Sequence, residues 1–160
     1  MGNFSHFDES GASRMVDVGQ KPISRRVARA TAQIRMQPAT LRSILDRRLE
    51  KGDVLEVARL AGIQAAKRTG ELIPLCHPLA IDAVTLDFTS TDDRSIAIQA
   101  VVSVEAKTGV EMESLTAVSV AALTIYDMCK SADRSMHIEQ IQLEEKAGGR
   151  SGTWQRENQL

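Results

Sequence analysis

The stretch Ala28-Arg29-Ala30-Thr31-Ala32-Gln33-Ile34-Arg35-Met36 has an apolar residue at every second position. A period of two places all of these apolar side chains on one face of a β-strand. Pro38 follows and predicts the start of a short helix through about Leu49, because proline suits the first turn of a helix. The chain therefore has an early strand with one apolar face, and a helix follows it directly.

The later elements extend this beginning to a complete fold. Gly52 breaks the first helix, and Asp53 has the residue type of an N-cap for the next one. The further predicted elements are a helix over 54 to about 69, strands near 84–88 and 96–104 joined by the turn 91–94, a helix over about 109–131 and a strand over about 136–143. The order strand, two helices, two strands, helix, strand is a split βαβ pattern with one extra helix. We expect an α+β protein in which helices cover one face of an antiparallel sheet.

The composition is that of one globular domain. The chain has 160 residues, 42% hydrophobic and 26% charged. We expect a single domain over residues 1–160, with a flexible lead-in over about 1–14 and a flexible tail over about 148–160. Twenty Lys and Arg nearly balance 21 Asp and Glu, and no general positive field exists that would bind a nucleic-acid backbone.

Targeting signals and metal motifs are missing from the sequence. No apolar run is long enough to span a bilayer, and the first residues lack the basic and apolar parts of a signal peptide. We therefore expect a cytoplasmic protein with no membrane partner. Cys76 and Cys129 are far apart, and reduced thiols are expected, with a disulfide as the weaker alternative. Cys76 adjoins His77 with no paired ligands after them, which argues against a zinc site.

The long helix places two acids beside its apolar face. That face is formed by Leu115, Val118, Ala122, Leu123, Tyr126 and Cys129. At about 100° per residue, Glu113 and Asp127 lie in one row along its border, where a carboxylate is partly desolvated. Lys130 lies within reach of Asp127, and an exposed ion pair is the commoner alternative for these two residues. Thr108 and Glu111 have the spacing of a capping box, a structural role that could suffice for Glu111.

The other candidate functional residues are His77 and several cations near the ends of the predicted helices and strands. Pro74 and Pro78 hold the backbone around His77, which could bind a ligand, move a proton, or simply pair with a carbonyl in the core. Lys51 lies in a break between helices, where a lysine is usually only a solvated charge. The residues that could bind phosphate, by charge or through backbone N–H groups, are Arg25, Arg26, Lys67, Arg68 and the glycines of 148–152. Lys67 and Arg68 equally suit the C-terminus of a helix, where cations interact favourably with the dipole, and the same ambiguity applies to the two arginines before the first strand.

Six segments together resemble one known family, the cyclic pyranopterin monophosphate synthases, or molybdenum cofactor biosynthesis protein C. These segments are Met15-Val16-Asp17-Val18, Lys51-Gly52-Asp53-Val54, Ala61-Gly62-Ile63-Gln64-Ala65-Ala66-Lys67-Arg68-Thr69, Leu72-Ile73-Pro74-Leu75-Cys76-His77-Pro78-Leu79, Lys107-Thr108-Gly109-Val110-Glu111-Met112-Glu113 and Ala121-Ala122-Leu123-Thr124-Ile125-Tyr126-Asp127-Met128-Cys129-Lys130. The resemblance covers about residues 15–152. Long motifs in one order are far more specific than a single glycine pattern.

The resemblance implies a fold, a reaction and an assembly. The fold would be ferredoxin-like, in agreement with the element order. The enzyme, a lyase, would convert the small molecule 3′,8-cyclo-7,8-dihydroguanosine 5′-triphosphate to cyclic pyranopterin monophosphate and diphosphate. It would be a homo-oligomer, a hexamer formed as a trimer of dimers, with active sites between subunits. No cofactor is required by the sequence, although Mg²⁺ can accompany the triphosphate.

The resemblance also implies roles for individual residues. Asp127 would be the active-site aspartate, and Lys51 and Lys130 the essential lysines that move protons. The residues that would bind the substrate are Leu75, Cys76, His77, Met112 and Glu113, with Glu111 in the same motif. Lys67, Arg26 and Lys146 would lie on the phosphate side. Arg150 departs from the pattern, because a lysine is expected after the tail glycines, and the two cations are not equivalent at a phosphate.

A non-catalytic ferredoxin-like module that senses a nucleotide is the alternative, because this fold serves many functions. The two hypotheses differ in where they place five side chains. If these side chains cluster in one pocket, the enzyme is favoured, and if they are dispersed over the surface, the sensor is favoured. The five side chains are those of Lys51, His77, Glu113, Asp127 and Lys130.

Overall fold

The computed structural model describes residues 6–7, 10–47 and 52–157. Lys51 and Leu49 lie outside the described residues. The elements are β1 (Ser24–Arg35), α1 (Pro38–Leu45), α2 (Val54–Lys67), α3 (Thr69–Leu72), β2 (Ala83–Ser90), β3 (Ser95–Ala106), α4 (Glu111–Cys129), β4 (His137–Ala147) and β5 (Trp154–Gln155). In the described part of the chain, no helix is both long and apolar enough to cross a membrane.

The five strands form one antiparallel sheet in the order β2-β3-β1-β4-β5. β1 lies in the centre, with Ala30 opposite Ala100 of β3 on one side and Leu143 of β4 on the other. β3 thus lies between β1 and β2, the two strands that α1, α2 and α3 connect. This order confirms the predicted split βαβ, ferredoxin-like fold, with the predicted hairpin formed by β2 and β3.

The alternation in β1 decides which face of the sheet is covered. Its buried residues are Ala28, Ala30, Ala32 and Ile34, all on the predicted apolar face. The helices α2 and α4 pack along each other, and α4 covers this face through fully buried Ala117, Val118 and Ala121. Small side chains at these positions let the helices approach the sheet closely. The opposite face of β1 has mostly polar residues that are half-exposed or exposed.

Local signals predicted some helix and strand boundaries better than others. Asp53 caps α2 as predicted, because its carboxylate accepts a hydrogen bond from the Glu56 N–H at 3.2 Å. The prediction of a capping box formed by Thr108 and Glu111 is wrong, because α4 begins at Glu111 after Val110 and no side chain caps it. Leu123 was placed on the apolar face of α4, but 56% of it is exposed.

Three short segments also differ from the expectation. Residues 15–18 form no strand, and the short helix α3 follows α2 before the proline-flanked loop. Before β1, the lead-in forms one bridge between Phe7 and Ser13. The tail predicted from about residue 148 contains the strand β5, which pairs with the edge of β4. Its flexibility stays a prediction.

Candidate active site

The proline-flanked loop and the start of α4 form one cavity. Its volume is about 300 Å³, and six predicted substrate-binding residues line it: Leu75, Cys76, His77, Glu111, Met112 and Glu113. The loop lies close to α3, because a Cβ added at Gly70 would lie 3.1 Å from the Cα of Pro78. A side chain larger than hydrogen at Gly70 would thus push away the loop that positions His77.

The electrostatics of this cavity are set by a buried acid. Glu113 is 3% exposed, and desolvation raises the pKa of its carboxyl above the ordinary value, helped by the nearby charge of Glu111. Burial also raises the pKa of the Cys76 thiol, and the Glu113 charge adds to that effect. Cys76 is therefore a protonated thiol at neutral pH. The structure forms no disulfide between Cys76 and Cys129.

A second cavity, of about 510 Å³, lies beside the start of β1. It is lined by Lys21, Pro22, Ser24, Arg26, Gly149, Arg150 and Ser151. The Arg26 guanidinium donates a hydrogen bond to the Lys107 carbonyl at 3.3 Å. Its buried Nε has no hydrogen-bond partner among the described residues. Three cations and a glycine backbone in one concave surface are suited to an anion.

Glycine is required where the tail crosses Arg26. Gly149 has φ +75°, and a Cβ there would collide with the guanidinium of Arg26. Gly148 has φ +100°, and a Cβ there would collide with the carbonyl of Arg25. Gly148 therefore needs glycine both for its left-handed backbone and for the close approach to the Arg25 carbonyl, whereas Gly149 needs it for its left-handed backbone, because the end of the Arg26 side chain can move. This contact places the tail in the wall of the second cavity.

Lys21 lines both cavities, which makes them neighbours. The segment that contains it is held by a turn, with the Lys21 N–H 3.0 Å from the Val18 carbonyl, and by Lys107 Nζ, 2.7 Å from the Gly19 carbonyl. The sequence-based prediction did not include Lys21. Its place just after the motif Met15–Val18, and before a proline, was the available signal.

The remaining predicted residues lie elsewhere. Lys130 Nζ and Asp127 Oδ1 form an ion pair at 2.6 Å with both side chains more than half exposed, which matches the exposed-pair alternative. The hydrogen bond to Asp127 and the charge of that carboxylate raise the pKa of Lys130. Lys67 is exposed at the end of α2, and Lys146 contacts the Ser151 hydroxyl. The prediction that Asp127 is partly desolvated on the border of the apolar face of α4 is thus wrong for the single chain, in which its side chain is exposed.

The model of the MoaC family matches residues 15–149. The chain belongs to the MoaC family. Cyclic pyranopterin monophosphate synthase 1 of Mycobacterium tuberculosis is 59% identical over 152 residues, which is 95% of this chain and 89% of the relative. The protein of the same name, without the numeral, from Thermomicrobium roseum is 57% identical over 99% of this chain and 96% of its own length. The synthase of Magnetococcus marinus is 59% identical over 99% and 98%.

Membership in the MoaC family helps to decide between the enzyme and the sensor, which the positions of the side chains in one chain leave open. His77 and Glu113 share a cavity, whereas Asp127 and Lys130 form a surface pair, and Lys51 lies outside the described residues. Clustering within one chain is therefore incomplete. The high identity to named synthases over nearly the whole length favours the enzyme over the sensor.

Proposed function

We propose that this chain is a cyclic pyranopterin monophosphate synthase, a lyase of molybdenum cofactor biosynthesis. It converts 3′,8-cyclo-7,8-dihydroguanosine 5′-triphosphate to cyclic pyranopterin monophosphate and diphosphate. The observation that supports this most directly is that two neighbouring cavities share Lys21. We call the first, which contains Glu111 and Glu113, the acidic cavity, and the second, which contains Arg26 and Arg150, the cationic cavity. A molecule with an N–H-rich base at one end and three phosphates at the other matches both chemistries.

The acidic cavity fits the guanine-derived ring. Glu111 and Glu113 can accept hydrogen bonds from ring N–H groups, and Leu75 and Met112 supply apolar walls for the ring faces. The raised pKa of Glu113 means that its carboxyl holds a proton more readily than an exposed one. His77, whose backbone the loop fixes, can donate or accept a hydrogen bond at the same ligand.

The cationic cavity fits the triphosphate. Lys21, Arg26 and Arg150 supply the charge that a departing diphosphate requires, although the chain as a whole has a net charge of −1. The unpartnered Nε of Arg26 is available to a phosphate oxygen. Lys67 and Lys146 stay predictions for the phosphate side. Among the described residues no group of three or more His, Cys, Asp or Glu side chains could hold a metal ion. That no cofactor is required, and that Mg²⁺ accompanies the triphosphate, are also predictions.

The exposed pair Asp127–Lys130 is too far from the acidic cavity to act in the same chain. Asp127 is 14 residues after Glu113 on α4, which places it roughly 21 Å further along the helix axis. That separation exceeds the reach of both side chains toward one small ligand. We therefore propose that Asp127 and Lys130 of a second copy complete the site. This agrees with the hexamer, a trimer of dimers, that the family resemblance implies.

In this arrangement the lysines move protons and hold negative charge. Lys130 would act with Lys51 in ring opening and rearrangement, and Asp127 would orient the Lys130 ammonium that it already pairs with. Burial against a second copy would remove water from this pair and strengthen its interaction with substrate. The cytoplasm stays the proposed location.

Mixing of two inactive variants tests the shared site. Glu113→Gln removes the acid of one cavity and Lys130→Ala the ammonium of the exposed pair. Each purified variant is expected to lose at least about a hundredfold in turnover, a usual effect of removing one charge-stabilising group. Arg42→Ala, which removes an exposed cation from α1, is the matched control and is expected to leave pyranopterin formation unchanged.

Reassembly of the two variants then distinguishes the hypotheses. If the two groups come from different copies, random mixing gives intact sites at about one quarter of positions, and about that fraction of activity returns. If both groups act within one chain, every site has a defect and activity stays absent. An inactive wild-type protein would refute the enzymatic function itself. Near-normal turnover of Lys130→Ala would refute only the role of that residue.

A further inference from the structure

The C-terminal strand is anchored by one arginine. β5 forms only two residue pairs with β4, Glu145 with Gln155 and Lys146 with Trp154. A strand this short cannot hold its position alone. Arg156 adds three contacts: its N–H lies 2.8 Å from the Glu144 carbonyl, its Nε 2.9 Å from the Leu143 carbonyl, and its guanidinium 5.9 Å from the centre of the Trp154 ring.

Glu144 is the fixed partner of this arginine. Its carboxylate lies 3.9 Å from Arg156 Nε and is only 18% exposed. It accepts hydrogen bonds from the Thr31 hydroxyl at 2.6 Å and from the Gln142 side chain at 2.8 Å. Thr31 belongs to the central strand β1, which pairs with β3 on one side and β4 on the other. The tail is thus tied to the centre of the sheet through Glu144.

The anchored hairpin controls the wall of the cationic cavity. The loop 148–153 joins β4 to β5, and within it Gly149, Arg150 and Ser151 line that cavity. The loop has one internal hydrogen bond, from the Gly152 N–H to the Gly149 carbonyl at 3.1 Å. Its distance from Arg26 is set at one end by β4 and at the other by β5. Release of β5 would let the glycines move away from the guanidinium.

We propose that Arg156 and Glu144 are positioning residues that hold loop 148–153 against Arg26. They thereby keep the cationic cavity formed before the triphosphate binds. This rests on the proposed function. A cavity that is already formed does not lose binding energy to the ordering of a glycine-rich loop. The residues act through the loop, and the effect belongs to substrate binding more than to the chemical step.

Three variants test the positioning role. Arg156→Gln removes the charge, Arg156→Lys keeps it, and Glu144→Gln removes the partner while leaving the tail intact. Arg94→Gln is the matched control, because Arg94 forms an exposed ion pair with Asp93 in the turn next to the opposite edge of the sheet. Trp154 is the only tryptophan of the chain, and its acrylamide quenching reports the position of β5 without substrate.

The expected results separate binding from chemistry. Arg156→Gln and Glu144→Gln raise KM by about tenfold with kcat within about twofold, because pre-ordering of the site is lost. Both weaken calorimetric binding of inorganic triphosphate by a similar factor and make Trp154 more quenchable. Arg156→Lys recovers part of each effect, and Arg94→Gln changes none of them.

Two outcomes would overturn the inference. One is unchanged Trp154 quenching and triphosphate affinity in both Arg156→Gln and Glu144→Gln. The other is a loss confined to kcat. Binding of inorganic triphosphate that depends on Arg156, in a wild-type protein without turnover, would support the positioning role while refuting the synthase function.

Discussion

Asp133 offers the sharpest test of how the fold is held together. It lies in the turn between α4 and β4, 5% exposed, and its carboxylate accepts four hydrogen bonds. Two come from the start of α1, from the Gln37 N–H at 2.7 Å and the Thr40 hydroxyl at 3.2 Å. Two come from Ser135, from its N–H at 2.9 Å and its hydroxyl at 2.6 Å. One side chain therefore joins the start of α1 to the start of β4.

The substitution Asp133→Asn keeps the volume and changes the bonding. An amide oxygen can replace one carboxylate oxygen, whereas the amide NH₂ faces two donors and cannot accept from them. Each buried donor left without a partner costs about 1–3 kcal/mol. We expect the free energy of unfolding to fall by about 3 kcal/mol, a large part of the 5–15 kcal/mol typical of a domain. Thr40→Val, which removes one of the four bonds, should cost about 1 kcal/mol.

Urea denaturation followed by circular dichroism at pH 7 measures both losses. A loss for Asp133→Asn no greater than that for Thr40→Val would refute the reasoning, because the four bonds would then not act through the carboxylate. The pH dependence gives an independent check. Burial raises the pKa of Asp133, but the hydrogen bonds outweigh it and the net pKa is lowered. Its stabilising contribution is thus present above the unfolded-state pKa of about 3.9 and is lost as the pH falls through the folded-state pKa. The difference between wild type and Asp133→Asn should therefore shrink on acidification.

Two further substitutions test the acidic cavity and the helix packing. Glu113→Gln should be more stable than wild type at pH 8, because folding raises the pKa of Glu113 and its buried charge opposes folding at high pH. In urea titrations this gain in stability should vanish as the pH falls below the unfolded-state pKa of the carboxyl. A variant that is less stable than wild type at pH 8 would contradict the prediction. Gly62→Ala should lose about 2 kcal/mol in thermal unfolding, since its Cβ would lie 2.5 Å from Leu86 Cδ2 and 3.0 Å from the Ala117 carbonyl oxygen. Ser43→Ala on α1 removes a half-exposed hydroxyl that donates to the Ala39 carbonyl at 3.0 Å and should change stability by less than about 0.5 kcal/mol. An equally tolerated Gly62→Ala would show that α2 can shift.

The fold could be predicted because its signals are local. The period of two in 28–36 identifies the apolar face of β1, which the structure buries. Asp53 marks the start of α2 by a hydrogen bond to a residue three positions later. Where the local signal failed, at Thr108, the reason is also local. Helix α4 starts three residues later, and Glu111 in its first turn lines the acidic cavity instead of capping the helix.

Arg26 and the tail glycines could be predicted as phosphate-binding candidates, but their common cavity with Lys21 could not, because its walls meet only in the folded chain. The loop with His77 and the start of α4 each contain a recognisable motif, and the structure brings them to one cavity. The cationic cavity instead joins Lys21 and Arg26 to the tail around Gly149, from opposite ends of the sequence. Arg156 has no local signal of its role, and Lys21 has only its place after the motif Met15–Val18, whereas the antiparallel pairing of β1 with β4 is what brings the tail beside Arg26.

The charged side chains at the two ends of α4 differ in how far they are removed from water. Glu113 lies in the first turn, where the helix dipole favours an anion, and a buried carboxylate is tolerated there even though desolvation raises its pKa. Asp127 and Lys130 lie at the other end, where the exposed ammonium has a raised pKa and stays charged in water. In high dielectric such a pair stabilises a phosphate or a transition state only weakly. A reaction that needs a reactive lysine therefore requires that this end of α4 be covered, and on the proposed arrangement the acidic cavity of a second copy covers it.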